Sequence, residues 1–200
     1  MGDSAAMYDI YRKISECQRV IAVGLDEDEL RVYAKVGAAG NYIKDTERAL
    51  ADCEGYNDLP QQPTAARWLE RAAAAGSVDA QLLYAANPVE ILGSPADMIR
   101  EPEKTIEYKK KAMKYLDSAA RAGDARAIGS IARAFENGIL APKNLDTAYS
   151  YYYALELLNP SLAPDEKMEG YARELGAVRV AAAKERGRYI RAWCCAGTVR

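Results

Sequence analysis

The sequence predicts an all-α protein, an array of antiparallel helical hairpins, and three observations predict it. Large apolar residues recur at three- and four-residue intervals along most of the chain, as in Tyr8, Tyr11 and Ile14 or Leu30, Tyr33 and Val36. Glycine or Asn-Pro punctuates these runs at hairpin intervals, at Gly76, Asn87-Pro88, Gly123 and Asn159-Pro160. From residue 65 onward, one arrangement of small and large residues returns three times. The expected division is an N-terminal helical cap over 1–60, a repeat region over 61–160 and a long C-terminal capping helix over 161–200.

Two hundred residues, half of them hydrophobic and 28% charged, describe a soluble globular chain that buries roughly 70% of its unfolded surface. The net charge is -2, with both signs interspersed, so no basic field exists to neutralise phosphates or hold an anionic membrane. Nucleic acid is not an expected partner. No stretch approaches the roughly 18 consecutive apolar residues of a spanning helix, and no membrane insertion is expected. Met1 to Ala5 lacks a basic segment followed by an apolar run, so no secretory signal is expected in these residues, and Ala6 stands where a myristoylation signal needs Ser or Thr. Histidine is absent, which removes the commonest general base and the usual nitrogen ligand of zinc or copper. No cofactor and no metal are expected.

The first region reads as helices from residue 7 to 53. Gly24 ends the first, and Asp26 with Glu29 opens the next as a capping-box-like start with acidic residues at the positive end of the helix dipole. A calcium loop over Asp26 to Glu29 would need a glycine at its sixth place, which is missing. Gly37 to Asn41 marks a break, and residues 54–63 form a turn-rich connector. Helices are then expected over 64–75, 78–86, 104–122, 125–136 and 146–158, and residues 165 to about 196 make one long or one kinked helix.

The three copies begin at Ala65, Ala112 and Ala148, each followed at +3 and +4 by large residues: Trp68-Leu69, Tyr115-Leu116 and Tyr151-Tyr152. The first two continue in register with Ala72-Ala73 and Ala119-Ala120, then Gly76 and Gly123, then Ala80 and Ala127. Small residues allow close helix approach, the large pair fills the space between layers, and glycine permits a tight turn. With Phe135 to Ile139, Asp146 and Ala148, this pattern resembles the Sel1-like repeat family, relatives of the tetratricopeptide repeats, over roughly residues 64–157. The resemblance implies an α-solenoid whose ends must be capped. Two departures stand out. The first two copies start 47 residues apart and the next two 36, so about eleven extra residues lie within Asn87 to Pro102, and in the third copy Leu155-Glu156 replaces the small pair.

Sel1-like proteins are often exported in bacteria, so the resemblance implies a periplasmic protein whose signal is missing from this chain, with a cytoplasmic one as the alternative. In that compartment disulfides persist, and Cys17 to Cys53 is the expected bridge, with two buried free thiols as the alternative. Were residues 27–53 one straight helix, Cys53 would stand roughly 30 Å away, beyond the ~7 Å limit between bridged Cα atoms. The bridge therefore requires a bend near Gly37 to Gly40. Cys194 and Cys195 stay unassigned.

Family members linked to penicillin binding direct attention to Ser-x-x-Lys and Gly-x-Ser-x-Gly, neither of which occurs, and no Walker loop or Gly-x-Gly-x-x-Gly is present. Lys109 to Lys111 follow Glu107 and read as a solvated helix face. A non-enzymatic monomer that binds another protein is expected: an adaptor or inhibitor in the bacterial envelope, such as an immunity protein against a secreted toxin. The alternatives are a scaffold or regulator of an envelope secretion complex and, more remotely, a hydrolase with an unrecognised site. Solenoids bind through side chains that their repeat motif does not use, which selects Arg67, Glu70, Arg71, Lys114, Asp117, Tyr149 and Tyr153. Tyr149 and Tyr153 have a competing reading, packing against the terminal helix. The extra segment Val89 to Ile99, with Leu92, Pro95 and Met98, is a second contact candidate.

Overall fold

A computed structural model of the chain describes residues 2–58 and 63–195, all helical or irregular with no strand among them. Pro60 and the expected boundary after it lie outside the described residues. Compactness divides the chain into two units, Met1–Ala75 and Gly76–Arg200.

Among its described residues the first unit holds four α-helices and a 3-10 turn at Tyr56–Asp58. Helix α1 (Ser4–Val23) starts where the Asp3 carboxylate accepts the N–H groups of Ala5 and Ala6, and it ends at Gly24 with φ 60°. In α2 (Glu27–Lys35) the Asp26 carboxylate accepts the N–H groups of Asp28 and Glu29, both at 2.9 Å, so the acidic run is a helix cap. Gly37, at φ 73°, bends the chain before α3 (Ala39–Asp52), and this bend brings Cys53 to disulfide distance of Cys17, with Cα atoms 5.4 Å apart. The Tyr42 hydroxyl accepts the Asp26 N–H at 3.1 Å, and the Tyr33 and Tyr42 rings stack at 4.8 Å, which joins α2 to α3. Helix α4 (Ala65–Ala74), capped by the Thr64 hydroxyl, packs on α1 and buries Ala65, Leu69, Ala72 and Ala73.

The second unit runs through α5 (Val78–Ala86), two short helices α6 (Pro88–Leu92) and α7 (Pro95–Arg100), then α8 (Pro102–Arg121), α9 (Ala125–Asn137), α10 (Leu145–Leu158) and α11 (Asp165–Cys194). Helix α8 packs on α5 and α9, and α10 on α9 and α11. The residues shared by the sequence copies are its interior: Ala80, Ala112, Ala119, Ala120, Ala127 and Ala148 are completely buried. Gly76 and Gly123 share a left-handed conformation, at φ 96° and 92°, at the equivalent place in the first two copies. Helix α11 is kinked, with Gly176 non-helical at φ 75°. Gly187 lies where α11 crosses α10 so closely that a methyl group would meet the Ser150 carbonyl oxygen at 2.7 Å. At the far end of α11, Cys194 and Cys195 are buried and lie at disulfide distance of each other.

Candidate binding site

The site arises from the eleven-odd extra residues between the first two copies. Pro88 ends α5 because it has no N–H to offer the Tyr84 carbonyl four residues back. The Tyr108 hydroxyl takes that place, donating to the Tyr84 carbonyl at 2.7 Å and more weakly to that of Ala85 at 3.3 Å. Burial pushes the Tyr108 phenol well above its ordinary pKa, so this donor keeps its proton. Instead of a short loop, the chain then forms α6 and α7. Ser94 and Asp97 form a reciprocal capping box at the start of α7, and the Thr105 hydroxyl donates to the Met98 carbonyl at 3.0 Å, which ties α7 to α8.

The two short helices overhang a mostly apolar cleft of 570 Å³ between α5, α8 and α9. Leu82, Pro88, Leu92, Met98, Leu116 and Ala134 line it. A second hollow of 550 Å³ continues it past Ile106, Met113 and Pro142, and the two share Lys109, Ile139 and Leu140. Ile106 and Ile139 are more than half exposed on this surface. The hydroxyls of Tyr108 and Thr105 are committed to backbone carbonyls, so the polar side chains left to face a guest are Ser130, Asn137 and a set of cations, with no carboxylate among them. Lys109 and Arg133 line the first hollow, and Lys109 and Lys110 the second. Among the described residues none of the three pairs with a carboxylate, although Arg133 donates to the Ser130 hydroxyl at 3.2 Å.

The residues that the sequence selected are spread over both units. Arg67, Glu70 and Arg71 lie on α4 in the first unit. Arg67 pairs with Glu70 at 3.5 Å, and Arg71 lies over the Trp68 ring at 5.2 Å. In the second unit Lys114 is exposed on α8, and the Asp117 carboxylate accepts from Arg121 at 2.8 Å, whose guanidinium in turn covers the Trp193 ring at 4.5 Å. Tyr149 is buried, in a core cluster with Tyr152, Met168 and Leu175. Tyr153 lies beneath Lys184 and Arg188 of α11, at 5.2 and 5.9 Å, with its ring beside Gly187. Packing against the terminal helix thus describes both tyrosines, and the anchor role expected of Tyr149 is corrected by its burial. This is the second of the two readings that the sequence left open for the pair. Of the extra segment, Leu92 and Met98 line the cleft, while Ile99 is 80% exposed.

A carboxylate network beside the core resembles acid-base machinery in composition but is closed on itself. Glu136 on α9 accepts from the Tyr152 hydroxyl on α10 and from the Tyr171 hydroxyl and Lys167 ammonium on α11, the last at 3.0 Å. Burial pulls the Glu136 carboxyl upward, but these three donors outweigh it and hold the carboxyl below its ordinary value. Burial and this carboxylate push the Tyr171 phenol up to about 12. The network binds three helices together. Among the described residues no three His, Cys, Asp or Glu side chains gather as a metal site would need, and no helix is long and apolar enough to cross a membrane. Comparison of the chain with protein-family models, curated proteins and solved structures returns no match.

Proposed function

We propose that this chain is a protein-capturing module of the Sel1-like repeat type, working in the bacterial envelope as an adaptor or inhibitor, with an immunity protein against a secreted toxin as one such role. The observation that carries this reading is the cleft of the second unit. An insertion between two otherwise regular copies has been built into a pair of fastened helices, and these border an apolar cleft with buried Leu116 at its floor, part-exposed Leu82, Leu92 and Met98 on its walls, and Ile106 and Ile139, each more than half exposed, at its edge. Contiguous exposed apolar surface on a folded domain is costly to keep in water and marks interaction sites. Cys17 and Cys53, brought to disulfide distance across 36 residues, support an oxidising compartment.

Photo-crosslinking in the cells that make the protein tests the reading. A benzophenone amino acid at Leu92 should give a discrete protein adduct, and the same group at Val178, 85% exposed on α11, should not. Absence of any adduct from Leu92, or equal adducts from both positions, overturns the proposal.

A further inference from the structure

Resting on the reading of the cleft as a protein-binding site, we infer that its occupant is a partner-protein segment carrying two or three large apolar side chains flanked by Asp or Glu. Three features on this face lead to that occupant. The first is its polarity pattern: apolar walls from Leu82, Leu92, Met98 and Met113 run beside Lys109, Lys110 and Arg133. Elsewhere on the same molecule cations are commonly matched, as in Arg100 with Asp97, Arg121 with Asp117 and Arg126 with Asp79 and Asp124. Around the cleft the three cations have no carboxylate among the described residues, so the anions that complement them must come with the guest.

The second feature is shape. Two adjoining hollows of 570 and 550 Å³ share one wall at Lys109, Ile139 and Leu140, and Ile106 and Ile139 stay more than half exposed on the rim. A small-molecule site encloses most of its ligand, whereas a groove open along its length takes successive side chains of a chain segment. The third is sign. A second copy docked through this same face would bring three further cations and no carboxylate from the lining, and like charges brought together disfavour such pairing. The segment is therefore foreign, apolar and acidic.

Panning a random dodecapeptide library against the full chain tests the assignment. Enriched peptides should place Asp or Glu beside two or more large apolar residues. The affinity of a synthetic peptide from that set should fall at least tenfold against Lys109→Glu/Arg133→Glu, and replacing its acidic residues by Lys should restore binding to that variant. These two positions are partly or fully exposed, so circular dichroism of the variant should match the parent. Enriched peptides without acidic residues, or affinity indifferent to the charge reversal, overturn the charge assignment while leaving protein capture standing. Direct binding of dodecanoate, read by calorimetry, with no peptide enriched identifies a small amphiphile instead and also overturns it. No enriched peptide together with a persistent Leu92 adduct rejects the segment alone; no peptide and no adduct rejects both readings.

Discussion

Helices α2 and α3 bury none of their residues, whereas α9 alone buries six of thirteen. Both regions are amphipathic and helical, yet they are held by different means. In the second unit completely buried alanines let helix backbones approach, and Leu116, Ile128 and Ile131 fill the interior. In α1 to α3 only Tyr11, Cys17 and Val20 are buried, and Val32, Val36 and Tyr33 face solvent. What connects these three helices is a cysteine pair, one aromatic stack and one hydrogen bond to Tyr42. In a region with so small a core, a bond between Cys17 and Cys53 would stabilise the fold in the way covalent ties stabilise small domains. The difference teaches that helical periodicity announces helices, while the alanine repeat announces how closely they pack.

The sharpest way to break this comparison is through the core of the second unit. Leu116→Ala removes a side chain that is 1% exposed and should cost about 2–5 kcal/mol, measured by urea unfolding. Val32→Ser or Val36→Ser, in the first unit, should change stability by no more than about 0.5 kcal/mol, since those side chains stay mostly in water on folding. Between these limits lies the cysteine pair. In oxidised protein, Cys17→Ser/Cys53→Ser should destabilise by roughly 3–4 kcal/mol for a loop of this length, with hydrogen exchange rising in α1 to α3 and not in α9 to α11. Four alkylatable thiols in non-reducing mass spectrometry would remove the covalent tie from the account.

Smaller effects probe the second unit's joints. Gly187→Ala gains about 1 kcal/mol of helix propensity but drives a methyl into the Ser150 carbonyl and the Tyr153 ring, so a net loss of about 1–2 kcal/mol is expected in thermal unfolding. Glu136→Gln should cost about 1 kcal/mol and, more tellingly, alter the acid response. The folded Glu136 carboxyl lies below its ordinary value of 4.5, so its stabilisation is complete above that value and is lost as pH falls through the lower folded one. The parent should therefore lose more stability than the variant between pH 5 and 3. Parallel acid curves for the two would show that Glu136 does not couple folding to protons.

Much of the helical plan was legible in the residues. Asp26 as a cap, the bend at Gly37, the alanine positions of the copies and the break at Asn87-Pro88 all follow from local chemistry, because caps, glycines and prolines act within one helical turn. The candidate site was legible only as an unexplained surplus of residues at 87–102. Its walls come from α5, α8 and α9, far apart in sequence, and no local signal states that Leu82, Met98 and Leu116 will share a cavity. Tyr149 and Tyr153 show the same limit from the other side. Off-motif aromatics suggest a surface, yet the long terminal helix lies across them.

By itself the sequence determined where most of the longer helices start and stop, that the repeated alanines would let helices approach closely, and that Cys17 could reach Cys53 only around a bend; it did not show α6 and α7. Tertiary structure alone decided which exposed-looking side chains are covered and which are left bare: Tyr149 buried, Leu92 and Met98 over a cleft, Lys109 and Arg133 without carboxylates. The reason is physical. Capping and backbone conformation are set by neighbours a few residues away, whereas burial and charge pairing depend on what the distant chain brings alongside.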